Sequence, residues 1–423
     1  MKNYTWLILI FLFLLGGCKE EPEIIPSSTD ANKITSHQQV KTVAGTTTLV
    51  GCTVETLKTG EIVQICVPEN WNGELIIYAH GYVSEFESLA LPTEAAAYVP
   101  LFTSLGYAFA TTSYTENGLA IQTGIDNILD LRKRFIKEYG EPKYIYLTGG
   151  SEGGIVTTLA IERYPKLFSG GLSLCGPCGD FQKQINYYAD FRVVFDYYFP
   201  NILPGDAIHI PDELIRNWET VYVPAIIQAI TLNPAIALKI LSITGAPYDP
   251  NNPTTIGQTF LRALWYDVFA TRNAIEVLKG QPYDNTATQY VVPGNPAETL
   301  LLNAQVDRFS ADKQALKNVE KYYQTSGDIS IPLVKMHTTG DPTIPFWHFP
   351  LYQAKITAQD ANALYTGIPI ARYGHCTFTE TEIALAFARL VQQVKSQPLV
   401  LAHQLAAQAQ NGKIIASVQS VKP

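Results

Sequence analysis

The chain has 423 residues, 47% of them hydrophobic and 16% charged, with a formal net charge of −8. That length permits a large core and two or three domains. The acidic balance, with no basic block, argues against a nucleic-acid partner.

Residues 1–17 read as an address. Lys2 supplies a positive charge, and Trp6 to Leu15 is an apolar run too short for a bilayer, which needs about 20 residues. The run ends in Leu15-Gly16-Gly17-Cys18, which resembles a bacterial lipobox and makes Cys18 the expected lipidation site. An ordinary secretory signal with an incidental cysteine is the alternative. Lys19-Glu20-Glu21-Pro22-Glu23 resembles the surface-export signal of lipoproteins in some Gram-negative bacteria. The expectation is therefore an exported lipoprotein of the outer membrane, facing the cell surface. Residues 18–45, rich in Ser, Thr and Pro, cannot bury a core and read as a flexible tether. No later stretch reads as transmembrane.

Two strand-like runs, Thr47–Lys58 and Glu61–Val67, flank Thr59-Gly60. They place Cys52 and Cys66 where a hairpin could pair them, so both are disulfide candidates in an exported protein. Glu74–Ala79 reads as a strand that runs into His80-Gly81-Tyr82. Thr93–Leu105 then reads as a helix, Tyr107–Ser113 as a strand and Ile121–Tyr139 as a helix ending at Gly140. Tyr144–Leu147 is the next strand. Such alternation implies a parallel sheet that binds ligands beyond the carboxyl ends of its strands.

This strand leads into Gly149-Gly150-Ser151-Glu152-Gly153, and a helical run from Ile155 to Tyr164 stops at Pro165. A serine on so sharp a strand-to-helix turn stands exposed at the sheet edge. Its neighbours must be small because strand and helix crowd the turn. Cys175-Gly176-Pro177-Cys178 closes the next strand, Gly171–Leu174. It has the spacing of a redox motif, but that motif opens a helix, so a loop-bracing role is expected.

About 150 residues, Asp180 to Ser330, precede the following strand, far more than a crossover helix needs. Helical patterns fall at Phe181–Phe199, Asp212–Leu232, Pro234–Ser242, Ile256–Lys279 and Ser310–Tyr323, with breaks at Pro200–Pro211, Gly245–Thr255 and Gln281–Pro296. Aromatics such as Tyr188, Phe191, Trp265 and Tyr266 should pack this segment, and some should line an apolar pocket.

Pro332–Thr338 is strand-like and is followed by Gly340-Asp341-Pro342. Ile368–Tyr373 leads into Gly374-His375-Cys376, and a helix runs from Thr379 to about Gln393. A serine on a turn, an acid past a strand end and a histidine before the last helix come in the chain order of one kind of catalytic triad. The imidazole takes the serine proton, and the carboxylate fixes the imidazole tautomer. His337, within a strand, and His348, at a helix start, are weaker candidates for the base.

Together the His80-Gly81-Tyr82 loop, the Gly149–Gly153 elbow, the Gly340-Asp341 turn and Gly374-His375-Cys376 resemble the α/β-hydrolase superfamily over about residues 47–395. Within it, they resemble the secreted esterase and prolyl-oligopeptidase-like branch. The resemblance implies an α/β fold with a mostly parallel eight-stranded sheet and a helical cap inserted between strands 6 and 7. It implies a cofactor-independent serine hydrolase with Ser151, Asp341 and His375 as catalytic residues. The main-chain N–H groups of Tyr82 and Glu152 would form the oxyanion hole, with His80 bracing the loop. A Cys directly after the catalytic His is also similar to tannase and feruloyl-esterase-like enzymes, where it pairs with a Cys just before the nucleophile. Here that upstream position is Gly150, so that bridge cannot form, and Cys376 either pairs elsewhere or stays a thiol.

The expected organisation is a signal peptide at 1–17, a tether at 18–45, a catalytic domain at 46–179 and 327–423, and a cap at 180–326. The expected reaction is cleavage of a small-molecule, glycan or lipid ester through an acyl-enzyme. The alternatives are a prolyl-oligopeptidase-like peptidase or aminopeptidase, and a non-catalytic binding lipoprotein. Peptidases of that type usually carry a propeller, and the residues ahead of the first strand are too few to build one.

Overall fold

The computed structural model describes residues 51–395; the leader, Cys18 and the tether lie outside the described residues. Apolar, β-branched runs bounded by turns give the first three strands: β1 (Gly51–Thr56), β2 (Ile62–Val67) and β3 (Glu74–Ala79). Helix α1 (Ala95–Thr103), β4 (Ala108–Thr112) and α2 (Ile121–Tyr139) follow. Then come β5 (Tyr144–Gly150), α3 (Glu152–Arg163) and β6 (Gly170–Leu174).

After the cap the chain returns through β7 (Leu333–Gly340), then a helix at His348–Ala358, β8 (Tyr365–Tyr373) and a last helix at Glu380–Lys395. The eight strands form one sheet in the order β1-β2-β4-β3-β5-β6-β7-β8. Only β2 runs against its neighbours; β4, β3 and β5 to β8 are all parallel. This order and polarity are those of an α/β-hydrolase sheet.

Both faces of the sheet are covered, as a parallel sheet requires. Ile128, Leu131 and Phe135 of α2 and Ile155, Val156 and Leu159 of α3 close one face. Phe102 of α1 and Phe387, Leu390 and Val391 of the last helix close the other. Because successive strands deliver their loops to one edge, the ends of β3, β5, β7 and β8 converge there. These are the strands that precede the His80, Ser151, Asp341 and His375 segments.

The cap occupies the excursion between β6 and β7. It comprises α4 (Phe181–Tyr198), α5 (Asp212–Arg216), a π-helical turn at Trp218–Tyr222, α6 (Val223–Leu232), α7 (Pro234–Thr244), α8 (Thr254–Leu278), α9 (Pro296–Gln305) and α10 (Lys313–Tyr322). It has its own core, with Phe191, Phe195, Phe260 and Leu264 fully buried. Two sequence expectations need correction. The single helix expected at Asp212–Leu232 is divided by the π turn. No helix is expected between the break at Gln281–Pro296 and Ser310, yet α9 stands there directly after that break, so exposed that Leu302 is its one buried residue. Among the described residues no single helix is long and apolar enough to cross a membrane.

An ion cluster sits inside the cap core. Arg192 is fully buried, with Nε 2.6 Å from Asp196 and Nη1 3.5 Å from the equally buried Asp267. Burial pushes the Asp267 carboxyl well up, and Arg192 pulls it back. Arg192→Met leaves Asp267 buried without its counter-charge, and loss of one partner of such a pair costs about 3–5 kcal/mol. A lowered urea midpoint with an unchanged slope is the expected reading.

Candidate active site

The elbow is strained where the sequence demanded it. Ser151 has φ 56° and ψ −123°, a conformation that L-residues rarely adopt, and it immediately precedes α3. Its N–H donates to the Leu174 carbonyl of the neighbouring strand at 2.9 Å, which fixes the turn. A Cβ at Gly153 would overlap the Ala79 carbonyl oxygen and lie 2.7 Å from the His80 carbonyl oxygen. The close packing of α3 on β3 therefore requires glycine there.

The three expected side chains come together at this edge. His375 Nε2 lies 2.8 Å from Ser151 Oγ, and His375 Nδ1 lies 2.7 Å from Asp341 Oδ2. Asp341 is fully buried, and its other oxygen accepts from the Thr343 and Ile344 main-chain N–H groups, each at 2.9 Å. The carboxylate is thus locked in rotation with one oxygen facing the imidazole. Around the acid, α4 clamps the loop from the cap side. Gln184 Nε2 donates to the Thr343 carbonyl at 3.0 Å, and the Tyr187 and Tyr188 hydroxyls donate to Pro342 and Thr343, each at 2.9 Å. Reading the cap aromatics as packing or pocket lining missed this clamp.

The rival histidines sit elsewhere. His337 is buried beneath the acid, its Nε2 2.8 Å from the Ile344 carbonyl oxygen and 3.9 Å from Asp341. Burial, aided by Lys335, lowers its imidazole to about 4. His348 accepts the Gly179 N–H at Nδ1 and faces Gln184 Oε1 at 2.7 Å through Nε2. Neither touches Ser151 in the described hydrogen bonds.

The His80-Gly81-Tyr82 loop lies against Ser151: a Cβ at Gly81 would stand 3.1 Å from Ser151 Cβ. His80 is buried, stacks on Tyr114 at 3.9 Å between ring centroids and meets the Gly81 carbonyl oxygen at 2.7 Å through Nδ1. Burial lowers its imidazole, so it stays a neutral brace. Tyr82 reaches into the cap, where its hydroxyl donates to the Phe269 carbonyl at 3.3 Å. The Tyr82 and Glu152 N–H groups donate to no carbonyl among the described loop and turn hydrogen bonds.

Cysteine pairing completes the frame. Cys52 and Cys66 are bonded across β1 and β2, directly opposite each other in register. Cys175, at the end of β6, is bonded to Cys376, next to His375, with Cα atoms 5.5 Å apart. Cys178 is a buried free thiol, so the CxxC pair is not closed. A Cβ at Gly150 would lie 3.8 Å from Cys376 Sγ. The bridge therefore occupies the space implied by the resemblance, but its second cysteine comes from the adjacent strand. Sequence left this pairing open because it depends on the loop after β8 meeting the end of β6, 201 residues apart in the chain.

Beyond Ser151 a mainly apolar cavity opens between sheet and cap. Its wall includes Tyr82, Phe181, Ile185, Tyr188, Ile208 and Tyr266.

Among solved structures, the chain is similar to feruloyl esterase B from Aspergillus oryzae, at 14% identity over 79% of this chain and 78% of that one, TM-score 0.49. It is similar to an esterase from Aspergillus oryzae at 16% identity over 82% and 80%, TM-score 0.45. It is also similar to Candida antarctica lipase A at 12% identity over 83% and 81%, TM-score 0.41. No curated protein matches the sequence. A family model matches residues 58–315, more than half of the chain, and the protein belongs to the tannase-like family of unknown function (DUF6351).

Proposed function

We propose that the protein is a serine hydrolase that cleaves carboxylic esters through an acyl-enzyme. The observation behind this reading is the continuous relay from Ser151 Oγ through both nitrogens of His375 to Asp341, at 2.8 and 2.7 Å, opening on an apolar cavity. Membership of a family described as tannase-like agrees with ester chemistry.

In this mechanism Ser151 Oγ attacks the ester carbonyl carbon while His375 Nε2 accepts its proton. Asp341 remains ionised and stabilises the imidazolium. The carbonyl oxygen gains negative charge and is held by the N–H groups of Tyr82 and Glu152; each donor of this kind is worth about 3 kcal/mol in the transition state. Collapse breaks the bond to the alcohol oxygen, which takes the proton from His375. Water then repeats the cycle on the acyl-enzyme and restores Ser151. Lipid attachment at Cys18 and an outer-membrane position belong to the same proposal and rest on the sequence of the leader.

Reaction with a fluorophosphonate, followed by peptide mass mapping, should place one adduct on Ser151. A protein that stays unmodified while remaining folded would instead be a binding protein on this scaffold.

A further inference from the structure

We propose that the Glu152 side chain is a substrate-recognition group: as an uncharged carboxylic acid it donates a hydrogen bond to an acceptor atom on an uncharged, mainly apolar substrate moiety lodged in the cavity. This deepens the proposed function and rests on it.

Glu152 directly follows the nucleophile and lines the cavity, yet only 8% of it is exposed. Its Oε1 accepts the Ala120 N–H at 3.2 Å, and the described hydrogen bonds give Oε2 no partner. The other polar groups of the wall are largely committed. The Tyr82, Tyr188 and Tyr283 hydroxyls donate to Phe269, Thr343 and Asp190. Gln184 is held by Thr343 and His348, and Gln281 donates to the Tyr283 carbonyl. Among the described residues no lysine or arginine lines the cavity, and Glu152 is its only carboxyl group. An ionised carboxylate there would be buried without a counter-charge, so the acid keeps its proton and becomes a donor.

The electrostatics agree with the geometry. Burial pushes the Glu152 carboxyl up to about 8; the Ala120 N–H opposes the rise and Glu116 adds to it. The proton is held below about pH 8 and lost above it, and with it goes the donor. The titratable groups facing Glu152 are Tyr82 after β3, Tyr114 and Glu116 after β4, Tyr266 on α8 and Tyr323 after α10. Burial raises all four phenols, so they stay neutral from pH 6 to 9, and Glu116 is exposed to solvent. His375 lies across Ser151 and acts equally on all esters compared below.

The test compares p-nitrophenyl esters of four acids with six-carbon chains: hexanoate, 5-oxohexanoate, 6-aminohexanoate and the adipate monoester. At pH 6.5 the wild type should favour 5-oxohexanoate over hexanoate by about 10-fold in kcat/KM. The ammonium and carboxylate esters should be about 100-fold slower than hexanoate. The 5-oxohexanoate preference should fade above pH 8. Glu152→Gln should keep that preference at all pH values, because its amide still donates, and Glu152→Leu should bring the ratio to about 1. Should the leucine variant not fold, the pH profile of the ratio in wild type against E152Q decides alone. A ratio near 1 in the wild type, a ratio unchanged in E152L, an alkaline limb that survives in E152Q, or a preference for the amino ester would each overturn the proposal. A wild type that hydrolyses hexanoate without preference refutes this inference only. One that hydrolyses no ester and resists fluorophosphonate refutes the hydrolase reading and this inference together.

Discussion

Ser151→Ala is expected to lower kcat for p-nitrophenyl esters by roughly 10⁴–10⁶-fold and to eliminate fluorophosphonate labelling. The reasoning is local. The variant removes the atom that forms the acyl bond but leaves His375, Asp341 and the cavity wall in place. KM should therefore change much less than kcat, which separates loss of chemistry from loss of binding. The melting temperature should rise or stay level, since a strained elbow loses only a hydroxyl. Turnover at the wild-type rate would show that another nucleophile acts.

Asp341→Asn should be nearly as severe, at about 10⁴-fold in kcat, for a reason visible in the hydrogen bonds. Oδ1 accepts from two main-chain N–H groups, of Thr343 and Ile344. An asparagine must keep its oxygen there, because an amide nitrogen facing two donors would leave all of them unsatisfied. Its NH₂ then faces His375 Nδ1, which becomes an acceptor. The ring proton moves to Nε2, and the base can no longer take the proton of Ser151. Proton NMR of the ring N–H resonances, beside the kinetics, would read this change of tautomer directly. A kcat within tenfold of wild type would remove Asp341 from its orienting role.

The segments of the proposed triad were legible because each is specified by local chemistry. A serine among glycines, an aspartate past a strand end and a histidine before the last helix are all read within a few residues. A parallel sheet followed from the alternation of elements, its eight strands from the resemblance, and the strand order only from the structure. What stayed hidden depends on partners distant in sequence. The Cys175 to Cys376 bond joins the end of β6 to the loop after β8, 201 residues on, and the clamp of α4 on the acid loop joins residues about 155 positions apart. Exposure also erased signal: α9 presents Leu300 and Leu301 outward, so its apolar residues do not mark an inner face. Glu152 was read only for its main-chain N–H, although a carboxyl group inside an otherwise small and apolar elbow was itself a clue.

The cap begins and ends between the two ends of one sulfur bridge, 201 residues apart in the chain. A protease that severs the cap makes two fragments, one bearing Ser151 and the other bearing Asp341 and His375. The cut releases neither, since Cys175 stays with the first and Cys376 with the second. The nicked protein thus stays covalently joined until a thiol is added, with Ser151 and His375 still tethered beside each other.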